Sequence, residues 1–216
     1  MPSVWIIMSI GIIIISFIVG GAFYYFISIV PNPVKKKQLE QVFSLLVNLV
    51  IYIWIGKILV NFSIFVKDPL AVLAYPSNSS AFYIAIILLT INVLYKVWKE
   101  EEFDVNQWFT AFVPIVLATS FTYEFIQYIQ KQSLDRLSHL ILLMAILIVF
   151  ILFQERLEAN ILAFLQLIMW TGGLFGLSFI SSYVSIFGYT IHPWFSLLLF
   201  LVFLGLGYYN HRKQVS

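Results

Sequence analysis

Residues 4–30, VWIIMSIGIIIISFIVGGAFYYFISIV, run without a charged side chain until the chain breaks at Pro31-Asn32-Pro33 and Lys35-Lys36-Lys37. A helix needs about 20 consecutive apolar residues to cross the hydrocarbon core of a bilayer, and this run is long enough. It is too long for the apolar region of a secretory signal and has no lysine or arginine ahead of it, so it reads as a retained first span. Six stretches of the same kind follow, at 42–66, 81–98, 108–129, 137–153, 161–183 and 191–209. Lipid-exposed backbone must satisfy its own hydrogen bonds, and the runs lack the alternation of a barrel strand, so all seven are expected to be helices.

Composition agrees. Hydrophobic residues make up 62% of the 216 and charged residues 10%, where a soluble surface needs roughly 25% charged residues. Seven spans with short turns use up the chain, so residues 1–216 are read as one integral membrane domain: an all-α, polytopic helical bundle. A net charge of +2 and the lack of a basic patch with interleaved aromatics argue against nucleic acid as a partner. The absence of cysteine excludes thiol exchange, Fe–S ligation and a cysteine nucleophile.

Positive charge sets the expected orientation. With the N-terminus outside, the inner segments hold Lys35, Lys36, Lys37, Lys96, Lys99, Arg156, Arg212 and Lys213, and the outer ones only Lys67, Lys131 and Arg136. Eight against three favours N-out and C-in. Trp5, Trp98, Trp108 and Trp194 stand at span ends, where interfacial anchors belong, while Trp54 and Trp170 lie deeper. The pairs Gly20-Gly21, Gly172-Gly173 and Gly205-Gly207 (with Gly176) are expected to let helix backbones approach closely. Ser44, Asn48 and Tyr52 form a polar stripe that should bond to a neighbouring helix.

Lys57 is the costliest residue in the chain. A lysine at a helix centre is penalised by roughly 2.5–3.5 kcal/mol on insertion scales. Three roles fit it: its stem snorkels to the headgroups, it joins a structural ion pair, or it binds a ligand. Asn61 and Trp54, four residues after and three before, share its helix face. Glu124 lies at matching depth in the fourth span and is the expected partner of Lys57. His139 opens the fifth span and His192 the seventh, both near the same outer face. The segment 67–80, KDPLAVLAYPSNSS, is apolar in its middle, so Pro69 to Tyr75 should rest on the bundle mouth. Lys57, Asn61, Trp54, Tyr75, Glu124, His139 and His192 are therefore the candidate ligand-binding residues.

No HExxH, GxSxG, GxGD or P-loop pattern occurs, so no catalytic residue is assigned, and no motif calls for a cofactor. Three histidines without cysteine, one of them (His211) on the opposite side, make a poor metal set. Three function classes remain open. The first is an outward-facing protein that binds or transports a small solute, with an energising partner subunit. The second is a non-catalytic assembly or regulatory subunit of a partner membrane protein. The third is an outer-leaflet enzyme acting on a lipid or lipid-linked substrate, with His139 or Glu124 as base and Lys57 as the positive group. The cysteine-free chain, rich in Lys, Ile and Phe, suits a bacterial plasma membrane.

Overall fold

A computed structural model describes residues 4–69, 72, 79–99, 103–181 and 183–215, the side chains of 4–7, 131, 211 and 213–215 excepted. Its elements are α1 (Val4–Ile27), α2 (Asn32–Val60), the one-turn α3 (Phe62–Phe65), α4 (Ser79–Lys99), α5 (Val105–Lys131), α6 (Leu134–Phe153), α7 (Ala159–Leu177), β1 (Ser185–Ile186), β2 (Tyr189–Thr190) and α8 (Pro193–Val215). Among the described residues, seven helices (all but α3) are long and apolar enough to cross a membrane, which fits a multi-pass membrane protein.

α5 is the central helix. Of its most apolar window 61% is buried, against 11–39% for the other six. It packs on α1, α2, α6 and α7, while α4 lies on α2 and α8 on α7. Two apolar clusters flank it. Tyr24, Val42, Leu45, Ala85, Trp108 and Ile115 fill the space towards α1, α2 and α4. Leu117, Leu143, Ile146, Leu167, Trp170 and Ile186 fill the space towards α6, α7 and the β-hairpin.

α2 begins ten residues before the apolar run at 42, because Lys35, Lys36, Lys37, Gln38 and Glu40 are good helix formers and carry the helix out of the lipid. At 29 residues it is about 43 Å long, more than the roughly 30 Å of hydrocarbon. Its first turns have an inward face. Lys35 is buried, and its Nζ donates to the carbonyls of Tyr25 (2.8 Å) and Ser28 (2.9 Å), satisfying the open end of α1. Tyr24 donates through its hydroxyl to Gln38 Oε1, and Gln38 Nε2 donates to the Gln107 carbonyl, both at 2.8 Å. These bonds tie α1, α2 and α5 together at what we term the Lys35 end.

Four expectations need correction. Trp108 is no interfacial anchor: it is 6% exposed and stacks on Phe112, whereas Trp98 and Trp194 do face outward. Trp54 is 52% exposed and points away from the bundle. The sixth span stops at Leu177 rather than 183. The following apolar residues make a β-hairpin, with Ile186 opposite Tyr189 and a two-residue turn of Phe187 (φ 50°) and Gly188 (φ 83°). Two positive φ values mark the turn geometry that suits the right-handed twist of paired strands. Finally, the expected close approach at Gly176 and Gly205 is absent, since a Cβ at either would meet nothing within 4 Å. The stripe on α2 does reach a neighbour: Asn92 of α4 donates to the Tyr52 hydroxyl.

Of Pro69 to Tyr75, only Pro69 and Val72 are among the described residues, and Val72 is fully buried. The remainder of that expectation, Tyr75 included, lies outside them.

The closest approach that the sequence anticipates is α1 on α5. A Cβ on Gly20 would sit 2.8 Å from the Ile115 carbonyl and 2.9 Å from the Thr119 amide nitrogen, both backbone atoms that cannot swing aside. Gly20→Ala should therefore destabilise the protein by about 1–3 kcal/mol, despite the better helix propensity of alanine. Thermal unfolding in detergent reads this; an unchanged or raised midpoint would show that the two helices are not in backbone contact.

Candidate functional site

The site lies where α5 ends and α6 begins. The last turns of α5 bury Ser120, Tyr123, Glu124 and Gln127. α5 closes at Gln132, whose left-handed backbone (φ 45°) reverses the chain, and α6 starts two residues later. So tight a link makes the first turns of α6 run back alongside Glu124. Arg136 and His139, three apart on one face of α6, are both buried against it. Arg136 Nη1 donates to Glu124 Oε2 at 3.0 Å, with side-chain exposures of 8% and 1%. His139 Nδ1 stands 3.6 Å from Glu124 Oε1, beyond hydrogen-bond distance. On the far side of the imidazole, Trp170 of α7 donates through Nε1 to His139 Nε2 at 3.4 Å.

The hairpin closes this end. Phe187 packs its ring 5.7 Å from that of Phe17 on α1 and 5.6 Å, edge-on, from Tyr123 on α5. Tyr189 stacks on Phe82 at 5.2 Å. A bulky residue at positive φ costs roughly 1–2 kcal/mol, so these contacts must offset that cost. Behind the turn, Ser181, Tyr183, Val184 and Ser185 face Glu124, Asp135, Arg136 and His139 across a small cavity. About 10 Å³ is open to the centre of a water-sized sphere, which is room for one water or one small polar group. Three polar atoms of the lining residues are buried without a protein hydrogen-bond partner: Glu124 Oε1, Arg136 Nε and Ser181 Oγ.

Of the seven candidates read from sequence, the structure brings two together, Glu124 and His139. The cation that meets Glu124 is Arg136 and not Lys57. Lys57 is half-buried on α2. Asn61 has a local task, its Nδ2 donating to the Lys57 carbonyl at 3.0 Å where α2 ends. Trp54 faces outward, and Tyr75 is outside the described residues. His192 is exposed at the head of α8, with its backbone amide donating to the Tyr83 hydroxyl at 3.0 Å. Sequence reasoning missed Arg136, Trp170 and Ser181. A signal for the first existed: Arg136 precedes His139 by one helical turn, but the fifth span was begun at 137, one residue too late to include it. Among the described residues, no three His, Cys, Asp or Glu side chains are grouped to hold a metal ion.

The hairpin turn provides a direct check on this geometry. Gly188→Ala must hold an alanine at φ 83° and bring its Cβ to 3.0 Å from the Tyr123 hydroxyl. It should lower stability by about 1–2 kcal/mol in thermal unfolding. No loss would mean that the turn is not held in the left-handed region over Tyr123.

Neither protein-family models, nor characterised proteins, nor solved structures match this chain.

Proposed function

We propose that this multi-pass membrane protein binds a small polar solute at the Glu124–Arg136–His139 cavity and moves it across the bilayer. The observation that carries the reading is the set of three polar atoms, Glu124 Oε1, Arg136 Nε and Ser181 Oγ, all buried around one cavity and all without a protein partner. Leaving a buried polar atom unpaired costs about 1–3 kcal/mol, more for charged groups, so three around one cavity favour an occupant. Polar groups also continue inward. Ser120 Oγ and Gln166 Nε2 are buried without protein partners one helical turn deeper on α5 and α7. Beside them is Leu143 and below them are Leu117 and Ile146, each 0% exposed, which separate the cavity from the Lys35 end. A binding site above an apolar seal is the arrangement expected of one state of an alternating carrier.

The orientation supports the sidedness of the proposal. Lys35 is buried as a cap on α1 and Arg136 is neutralised by Glu124, so neither weighs on topology as a free charge. Removing one from each side of the count leaves seven positive residues at the Lys35 end and two at the Glu124 end. That excess favours an outer position for the site, with the N-terminus outside and the C-terminus inside. The chain has no nucleotide-binding motif, so energy would come from an ion gradient or a partner subunit. The assembly-subunit reading has one observation in its favour, the 11% burial of α8, which leaves that helix open to lipid or to a partner.

Thermal unfolding of the purified protein against amino acids, amides, polyols, amines, organic acids and inorganic ions tests the proposal. A solute at 100 times its dissociation constant stabilises by about 2.7 kcal/mol. At least one solute should raise the midpoint of the parent by several degrees, less in Ser181→Ala, and not at all in the double variant Glu124→Gln with Arg136→Met. A panel without any stabilising solute, or equal shifts in parent and variants, would overturn the binding role and leave the assembly subunit as the better reading.

A further inference from the structure

We infer that the cavity selects a neutral group that both donates and accepts hydrogen bonds, a carboxamide or a hydroxyl, over a free anion or cation. This rests on the binding role proposed above and adds the chemistry of the ligand. The argument begins with Trp170. An indole N–H only donates, so the bond from Trp170 Nε1 requires His139 Nε2 to accept. The single proton of the imidazole then sits on Nδ1, turned towards Glu124 Oε1 at 3.6 Å. His139 therefore adds no charge while that bond holds. Glu124 and Arg136 cancel at 3.0 Å. Asp135, half-buried at the rim of the cavity, has an interaction of its own.

What remains for a ligand is a balanced set. Glu124 Oε1 offers an acceptor, Arg136 Nε a donor, and Ser181 Oγ can serve as either. An anion entering the cavity would satisfy Arg136 Nε but face the free carboxylate oxygen. A cation would satisfy Glu124 Oε1 but face the guanidinium. Like charges forced together in a water-poor site cost several kcal/mol: an anion meets that cost at Glu124 and Asp135, a cation at Arg136. A carboxamide donates through its NH₂ to Glu124 Oε1 and accepts through its oxygen from Arg136 Nε. A hydroxyl does the same with one oxygen, and is no larger than the water-sized space between these residues.

Saturation-transfer difference NMR on the protein in nanodiscs suits such small, weak ligands. The probes are acetamide and ethylene glycol as neutral groups, methylammonium and methylguanidinium as cations, and formate and acetate as anions. Acetamide or ethylene glycol should bind at least about tenfold more tightly than any of the four ions, and the signal should fall in Ser181→Ala. A second arm uses Trp170→Phe, which removes the donor to His139 Nε2 and should narrow the preference for the neutral probes over the ions. Preferential binding of the ions by the parent would overturn the assigned ligand class while leaving the binding role standing. No signal from any probe, with none from the wider solute panel, would overturn both. If Trp170→Phe prefers the neutral probes as strongly as the parent does, the indole does not set the selectivity of the site and the inference fails.

Discussion

A buried carboxylate is tolerable in a membrane bundle only if a cation reaches it, and the Glu124–Arg136 contact at 3.0 Å is how this protein meets that condition. The pair dictates local structure on both sides. It requires α6 to begin within two residues of α5, which the left-handed Gln132 makes possible. It also sets the face of α6 that turns inward, and with it His139, whose far nitrogen reaches Trp170 on α7. Three helices are thereby locked at one end by polar bonds. The opposite end is locked by a separate set, in which Lys35, Gln38, Tyr24 and the Gln107 carbonyl join α1, α2 and α5. The two sets differ in one respect. Lys35 Nζ, the Tyr24 hydroxyl and both amide atoms of Gln38 are paired, whereas at the Glu124 end three polar atoms are left over around a cavity.

The β-hairpin belongs to the same arrangement. Its turn holds a phenylalanine at positive φ, a conformation with a cost of its own, and the ring reaches both α1 and α5 through Phe17 and Tyr123. Strain of this kind persists only where surrounding contacts over-determine it, and it concentrates at clamps and sites. Ser181, Tyr183, Val184 and Ser185, which lead into the turn, supply one wall of the cavity.

How much of this was legible in the sequence varies with the physics behind each feature. The seven spans were legible because lipid imposes a hydropathy that little else produces. Their ends were not, because helices continue into polar residues: α2 runs ten residues back through the lysines that precede the apolar run at 42. The hairpin was hidden by its own apolarity, since Val184 and Ile186 belong to the same buried core as the span residues. Depth groups Glu124 and His139 with Lys57, Asn61 and His192, and of these five the structure brings Glu124 and His139 together. The partner was misassigned because Lys57 and Arg136 lie at the same end and only tertiary packing chooses between them. Trp170 was noticed for its depth, yet its role depends on a bond across helices that no spacing rule encodes. Trp54 looked equivalent along the chain and faces outward.

The central claim is that Glu124 and Arg136 are one charged, buried unit on which this end of the bundle depends. A double-mutant cycle in thermal or denaturant unfolding measures that coupling directly. Arg136→Met alone should cost about 3–5 kcal/mol, because it strands the carboxylate, and Glu124→Gln alone should also destabilise by stranding the guanidinium. Together they should recover most of the loss, since neither charge is then left unpaired. Additive costs, with the double variant the least stable of the three, would contradict the account.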